Sequence, residues 1–252
     1  ILGESVTNPE AARAAADSYG AALPVLDDEA LDLNVSVKLS QMGLGLGQTV
    51  ARDNLAHVLV AAAAVGGFVR IDMEDHTTTD ATLDLWRQLR PVMAGSGDVG
   101  VVIQSALRRS EADVERLLEE GARVRLCKGA YKEPASVAYT EKAEVDGAYI
   151  RLMERLLTDG VLPAIATHDD RMIAHALAFA REHGIGAERF EFQMLFGVRR
   201  DLQDRLLGEG WAVRIYVPFG DRWYPYFMRR LAERPANVSF LLRSLLRERR
   251  TS

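Results

Sequence analysis

The sequence predicts an α/β protein, a (β/α)8 barrel, and three observations predict it. Short β-branched runs alternate with longer amphipathic or alanine-rich stretches, as parallel strands joined by helical crossovers require. The repeat is about thirty residues, the size of one βα unit. The chain has 252 residues, 48% of them hydrophobic, which suits one complete barrel better than two ordinary domains. A single domain over residues 1–252 is therefore expected.

Taken in order, the strand runs are Asn34 to Leu39, Phe68 to Met73, Val99 to Gln104, Arg123 to Leu126, Leu162 to Ala166, Arg189 to Met194 and Val213 to Val217. A partial run at Ile1 to Gly3 brings the count to eight and reads as the end of a strand, so chain upstream of Ile1 is expected. The first helix is announced by Asn8 as its cap and Pro9 at its first position, where a missing N–H costs nothing. Further helices are expected to begin near Thr49, Thr79, Ser110 and Asp170. The strands are apolar nearly throughout, as when helices cover the outside and other strands' side chains fill the inside. A doubly wound open sheet is the alternative architecture.

Composition narrows the function. Net charge is −5 and the 31 basic residues are scattered, which argues against a nucleic-acid partner. Cys127, the single cysteine, has no partner for an internal disulfide and fits a reducing compartment. No apolar run approaches the roughly 18–20 residues of a membrane span, and no secretion signal is visible at Ile1. A cytoplasmic protein is expected.

A barrel of this kind carries its active site at the C-terminal ends of its strands. Reading outward from each run gives Lys38; Asp72 with Glu74 and Asp75; Gln104; Arg125 with Lys128; Thr167 with His168; Gln193; and Tyr216. Any one of these is by default a loop residue, but seven units delivering polar groups to one rim points to a site. Lys38, Asp72, Glu74 and Arg125 are expected to neutralise one another.

Other readings compete. Gly43, Gly45 and Gly47 follow a strand, but the third glycine falls one place early for a dinucleotide fingerprint, and a flexible loop is expected. A barrel aldolase that forms a Schiff base on Lys38 or Lys128, lysines at strand ends that desolvation would make nucleophilic, is the runner-up reading. His76 and His168 with Asp72 and Glu74 lack metal-site spacing, so no metal is expected. Arg108 and Arg109 read as solvated helix-start residues. Past Val217-Pro218-Phe219-Gly220, a final helix through Arg229, Arg230 and Glu233 is expected to lie over the barrel mouth, where two guanidinium groups form a fork suited to a small carboxylate.

These segments together resemble the proline dehydrogenase family. The resemblance runs from Leu2-Gly3-Glu4-Ser5 to Asn237-Val238-Ser239-Phe240, through Val37-Lys38-Leu39-Ser40, Ile71-Asp72-Met73-Glu74-Asp75, Val102-Ile103-Gln104-Ser105, Arg125-Leu126-Cys127-Lys128-Gly129-Ala130-Tyr131, Ala166-Thr167-His168, Glu191-Phe192-Gln193-Met194-Leu195, Arg214-Ile215-Tyr216-Val217-Pro218 and Arg229-Arg230-Leu231-Ala232-Glu233. It implies a distorted TIM-type barrel that holds FAD at its C-terminal face and oxidises L-proline to Δ1-pyrroline-5-carboxylate. A flavin-binding protein without catalysis is a further alternative.

By the same resemblance Arg229 and Arg230 clamp the proline carboxylate, and Lys38 and Asp72 border the ring and its amine. Arg125 reaches the reactive flavin nitrogen. Met73, Gln104, Lys128, Gly129, Ala130, Thr167, His168, Gln193 and Glu233 hold the cofactor. Tyr131, Leu195 and Tyr216 shape the substrate pocket. Asp169, Lys132 and Cys127 depart from the family pattern, where an asparagine, a tryptophan and a branched aliphatic are expected. The chain resembles the stand-alone form of the enzyme, which implies a membrane quinone as electron acceptor, a peripheral position at the inner face of the membrane and handover of product to a separate pyrroline-5-carboxylate dehydrogenase.

Overall fold

A computed structural model describes residues 5–220. Asn8 Oδ1 accepts the Ala11 N–H at 2.8 Å and Pro9 opens the first helix, α1 (Pro9–Asp28). Among the described residues six βα units and a seventh strand then follow in strict order: β1 (Asn34–Lys38), α2 (Gln48–Ala64), β2 (Phe68–Asp72), α3 (Thr79–Leu89), β3 (Asp98–Gln104), α4 (Ser110–Glu119), β4 (Val124–Cys127), α5 (Lys142–Asp159), β5 (Ala164–Ala166), α6 (Asp170–Glu182), β6 (Glu191–Leu195), α7 (Arg200–Gly208) and β7 (Val213–Tyr216). The expected strand at Ile1 to Gly3 and the expected helix through Arg229, Arg230 and Glu233 lie outside the described residues.

All seven strands pair in parallel in the order β1-β2-β3-β4-β5-β6-β7. A doubly wound sheet reverses its strand order at a switch point; this one never does. With right-handed crossovers throughout, sequential order puts every helix on one face, and the twisted sheet curls around the other. The curl is visible in side-chain contacts. Tyr216 on β7 bonds Asp72 on β2 at 3.3 Å, although five strand spacings in a flat sheet would separate them by roughly 24 Å. The structure is thus the curled parallel sheet of a TIM-type barrel.

Side-chain alternation divides the strands into two linings. Val37, Val69, Ile71, Val101, Ile103, Val124, Leu126, Ile165, Phe192 and Met194 join the core between sheet and helices, with Leu55, Leu59, Trp86 and Leu156. Trp86 also donates its indole N–H to Val99 O at 2.9 Å. The opposite parity lines the barrel and is largely polar: Ser36, Lys38, Arg70, Asp72, Arg125, Glu191, Gln193, Arg214 and Tyr216. This corrects the expectation of strands apolar nearly throughout. The apolar members face the helices, and hydrogen-bonded charges fill much of the interior.

Two local expectations also change. The glycine segment is not an open loop: a 3₁₀ turn occupies Leu44–Leu46, and a Cβ on Gly43, at φ +94°, would lie 2.8 Å from Val50 Cγ1. Arg109 is not simply solvated, because it bonds Asp113 at 2.6 Å and Asp80 at 2.6 Å and so ties α4 to α3.

Candidate active site

The β1–β2 register places Lys38 beside Asp72, and the parity that turns both inward brings charge to charge. Lys38 Nζ donates to Asp72 Oδ2 at 2.9 Å. The other carboxylate oxygen accepts Arg125 Nη1 at 2.7 Å. Arg125 is held on two further edges, with Nε donating to Gln193 Oε1 at 2.5 Å and Nη2 to Ser36 Oγ at 3.0 Å. Four strands therefore converge on one guanidinium.

Burial opposes ionisation of both Asp72 and Lys38, but the charges facing them outweigh it. Lys38 and Arg125 hold the Asp72 carboxyl below its ordinary range, with Tyr216 adding a hydrogen bond. Asp72 correspondingly raises Lys38. Both groups stay charged at neutral pH. A Lys38 ammonium locked in this way is not a nucleophile. Lys128 is likewise engaged, donating to Asp146 at 2.6 Å and Asp169 at 2.7 Å. Neither lysine is therefore set up for the Schiff-base alternative.

Glu74 does not join this cluster as expected. Its carboxylate accepts the Ser40 N–H at 2.8 Å and the Ser40 hydroxyl at 2.6 Å, fastening the loops after β1 and β2 together. Its carbonyl accepts Gln104 Nε2 at 2.8 Å. The two histidines of the imagined metal site are also occupied separately. His76 binds Glu133, while His168 Nε2 accepts the Leu195 N–H at 2.9 Å. Burial, and then the nearby Arg199, push His168 down to about 4, so it is neutral.

The remaining expected site residues sort by position. Gln104, Thr167 and Gln193 are buried at strand ends. Tyr131 (39% exposed) and Leu195 (44% exposed) stand open at the same rim, next to exposed Phe196, Val217 and Phe219. Met73 points its side chain into the core, leaving only its backbone for a ligand. Gly129, at φ +110°, packs so closely that a Cβ would meet Gln104 Oε1 at 3.1 Å. Ala130 follows it on the loop after β4. Arg229, Arg230 and Glu233 lie outside the described residues.

This rim suits a flavin. Exposed apolar groups are available to cover a planar ring system, Arg125 supplies a fixed positive charge, and Lys128, Gln104 and the glycine-permitted backbone approach at Gly129 supply polar contacts. A separate cavity of about 350 Å³ opens at the barrel floor between Leu31, Asp32, Phe68, Asp98 and Arg123. It lies at the strands' N-terminal ends, away from the Asp72 cluster.

Ser36 and Glu191 were missed by reading only the last polar residue of each run. Each sits two residues before an expected one, on the same inward face, and the period of two along a strand was the available signal.

Comparison with known proteins gives the affiliation. The family model for proline dehydrogenase matches residues 1–243. The chain belongs to the proline dehydrogenase family. It is 42% identical over 250 residues to a proline dehydrogenase of Deinococcus radiodurans, covering 98% of this chain and 80% of that one. It is 39% identical over 247 residues to proline dehydrogenase 2 of Bacillus subtilis, with the same coverage. Among solved structures, proline utilization A of Bdellovibrio bacteriovorus, inactivated by N-propargylglycine, superposes with a TM-score of 0.79 at 28% identity over 88% of this chain. A Bradyrhizobium japonicum proline utilization A variant gives 0.82 at 25% identity over 95%. This chain spans only 28% of each of those longer proteins.

Proposed function

We propose that this member of the proline dehydrogenase family oxidises L-proline to Δ1-pyrroline-5-carboxylate with noncovalently bound FAD, as one barrel domain. The carrying observation is the Lys38–Asp72–Arg125 cluster at the strands' C-terminal ends. FAD, when bound, supplies the acceptor for a hydride from the substrate carbon next to nitrogen.

The chain's own residues orient and polarise. Arg125, braced from three other strands, offers a positive charge where electron density accumulates on the cofactor's reactive nitrogen. Met73 through its backbone, Gln104, Lys128, Gly129, Ala130, Thr167, His168, Gln193 and Glu233 hold the rest of FAD. Lys38 and Asp72 border the substrate ring and its amine, which must lose a proton before its lone pair assists hydride departure. Tyr131, Leu195 and Tyr216 wall the pocket, and Arg229 and Arg230 take the carboxylate.

Reduced flavin needs an acceptor, for which we propose a membrane quinone, with the protein visiting the inner face of the membrane from the cytoplasm. No helix among the described residues is long and apolar enough to cross a membrane. A separate pyrroline-5-carboxylate dehydrogenase would take the product.

Anaerobic addition of L-proline to purified protein tests this reading. Yellow protein should bleach. Colour that proline never bleaches would mean flavin binding without this catalysis. Colourless active protein with a lysine trapped by borohydride and a carbonyl substrate would overturn the flavin assignment.

A further inference from the structure

We infer that Glu191 is a positioning residue for the reaction centre, acting through the side-chain amide of Gln193 on Arg125. The inference rests on the reading that Arg125 faces the flavin. Glu191 and Gln193 stand two apart on β6 and share its inner face. Gln193 Nε2 donates to Glu191 Oε1 at 2.5 Å, and Gln193 Oε1 accepts Arg125 Nε at 2.5 Å.

An amide has one donating end and one accepting end. Ionised Glu191 has no proton to give, so only the NH2 end of Gln193 can face it favourably. That leaves the oxygen for Arg125. Reversal would set two donors against each other at the buried guanidinium and two acceptors against each other at half-buried Glu191. The carboxylate thus dictates the amide orientation, and the amide holds the Nε edge of Arg125.

Glu191 is itself kept ionised. Burial favours its neutral form, but Arg214 outweighs that, with Nε 2.9 Å from both carboxylate oxygens. Arg214 Nη1 in turn donates to Asp32 at 2.7 Å. A hydrogen-bonded chain therefore climbs from Asp32 at the floor cavity through Arg214, Glu191 and Gln193 to Arg125 and Asp72 at the rim. Without the Gln193 link, Asp72 and Ser36 grip only the two terminal nitrogens of Arg125, and the guanidinium plane can tilt.

The test must separate the acceptor from the charge. Glu191→Leu alone would strip half-buried Arg214 of a partner, so two double variants are compared: Glu191→Gln with Arg214→Met, and Glu191→Leu with Arg214→Met. Both lose the ion pair, and only the first keeps an oxygen for Gln193. In FAD-loaded protein, the reduction potential of the bound flavin and the rate of its anaerobic reduction by proline are measured. The leucine pair should shift the potential negative and slow reduction roughly tenfold, the worth of one hydrogen bond to a charged group. The glutamine pair should stay near wild type.

Equal potentials and rates in the two pairs would overturn the inference. If neither pair folds, Glu191→Gln with Arg214→Leu and Glu191→Met with Arg214→Leu replace them, with Gln193 intact in both: a lowered potential in the methionine pair alone supports the relay, and equal potentials overturn it. Arg125→Met serves as the reference. Should it leave the potential unchanged, the reading of Arg125 as the flavin's neighbour fails, and the inference with it. If Arg125→Met lowers the potential while the Glu191 variants do not, only the inference falls.

Discussion

Lys38 and Asp72 are register partners on adjacent parallel strands, and their charged ends meet at 2.9 Å on the inner face of the barrel. The ladder itself sets this pairing, because no loop intervenes between either side chain and the sheet. Asp72 also carries Arg125 on its second oxygen, so one carboxylate balances two cations in a buried setting.

Replacing Asp72 by alanine should slow flavin reduction by proline while FAD is retained. It should also destabilise the fold by about 3–5 kcal/mol, because buried Arg125 and half-buried Lys38 lose their partner. Stopped-flow reduction and urea unfolding measure the two effects. A wild-type reduction rate would make Asp72 structural only. The acid limb of stability follows in sign. The native carboxyl titrates below its unfolded value of about 3.9, so its contribution is present above that pH and is lost as pH falls toward the native value.

His168 predicts a second acid-sensitive window. Its native value of about 4 lies below the roughly 6.5 of an unfolded chain, so the unfolded state binds a proton that the native state refuses. This stability is complete above about pH 6.5 and declines through about pH 4. Melting temperatures across that range should fall less steeply in His168→Gln, whose amide oxygen can still accept the Leu195 N–H. Parallel curves for variant and wild type would count against the assignment.

Tyr216 predicts substrate discrimination. Its hydroxyl reaches Asp72 at 3.3 Å, and its ring lies 5.3 Å from the Arg125 guanidinium carbon, so the phenol stands against the charged cluster. A ring hydroxyl on the substrate would crowd it. Tyr216→Ser should narrow the ratio of turnover on proline to that on 4-hydroxyproline, an effect of a few kcal/mol at most. An unchanged ratio would place the determinant elsewhere.

Arg229 and Arg230 predict carboxylate affinity. Charge-assisted hydrogen bonds contribute roughly 1.5–3 kcal/mol each, so Arg229→Met and Arg230→Met should each weaken competitive inhibition by tetrahydro-2-furoic acid by about one to two orders of magnitude. FAD should remain bound in both variants. Equal inhibition of all three proteins would remove both arginines from the site.

The sequence by itself determined the βα rhythm, the caps and the rim. Asn8-Pro9 caps and starts α1, while the expected starts at Thr79, Ser110 and Asp170 coincide with α3, α4 and α6, because hydrophobic periodicity is local physics. It also named Lys38, Asp72, Arg125 and Gln193, since polar residues ending apolar runs stand out in a linear reading. Only the tertiary structure decided how these groups pair. Glu74 left the charge cluster for Ser40, and Gln193 turned its oxygen to Arg125 because Glu191 required its nitrogen. The polar barrel interior was hidden for the same reason. Arg70, Glu191 and Arg214 lie within or beside apolar runs; Arg214 and Glu191 meet across adjacent strands, and Arg214 reaches Asp32, 182 residues away, because the sheet curls. Local pattern reports which face a side chain takes; which charge it meets there is set by curvature and register.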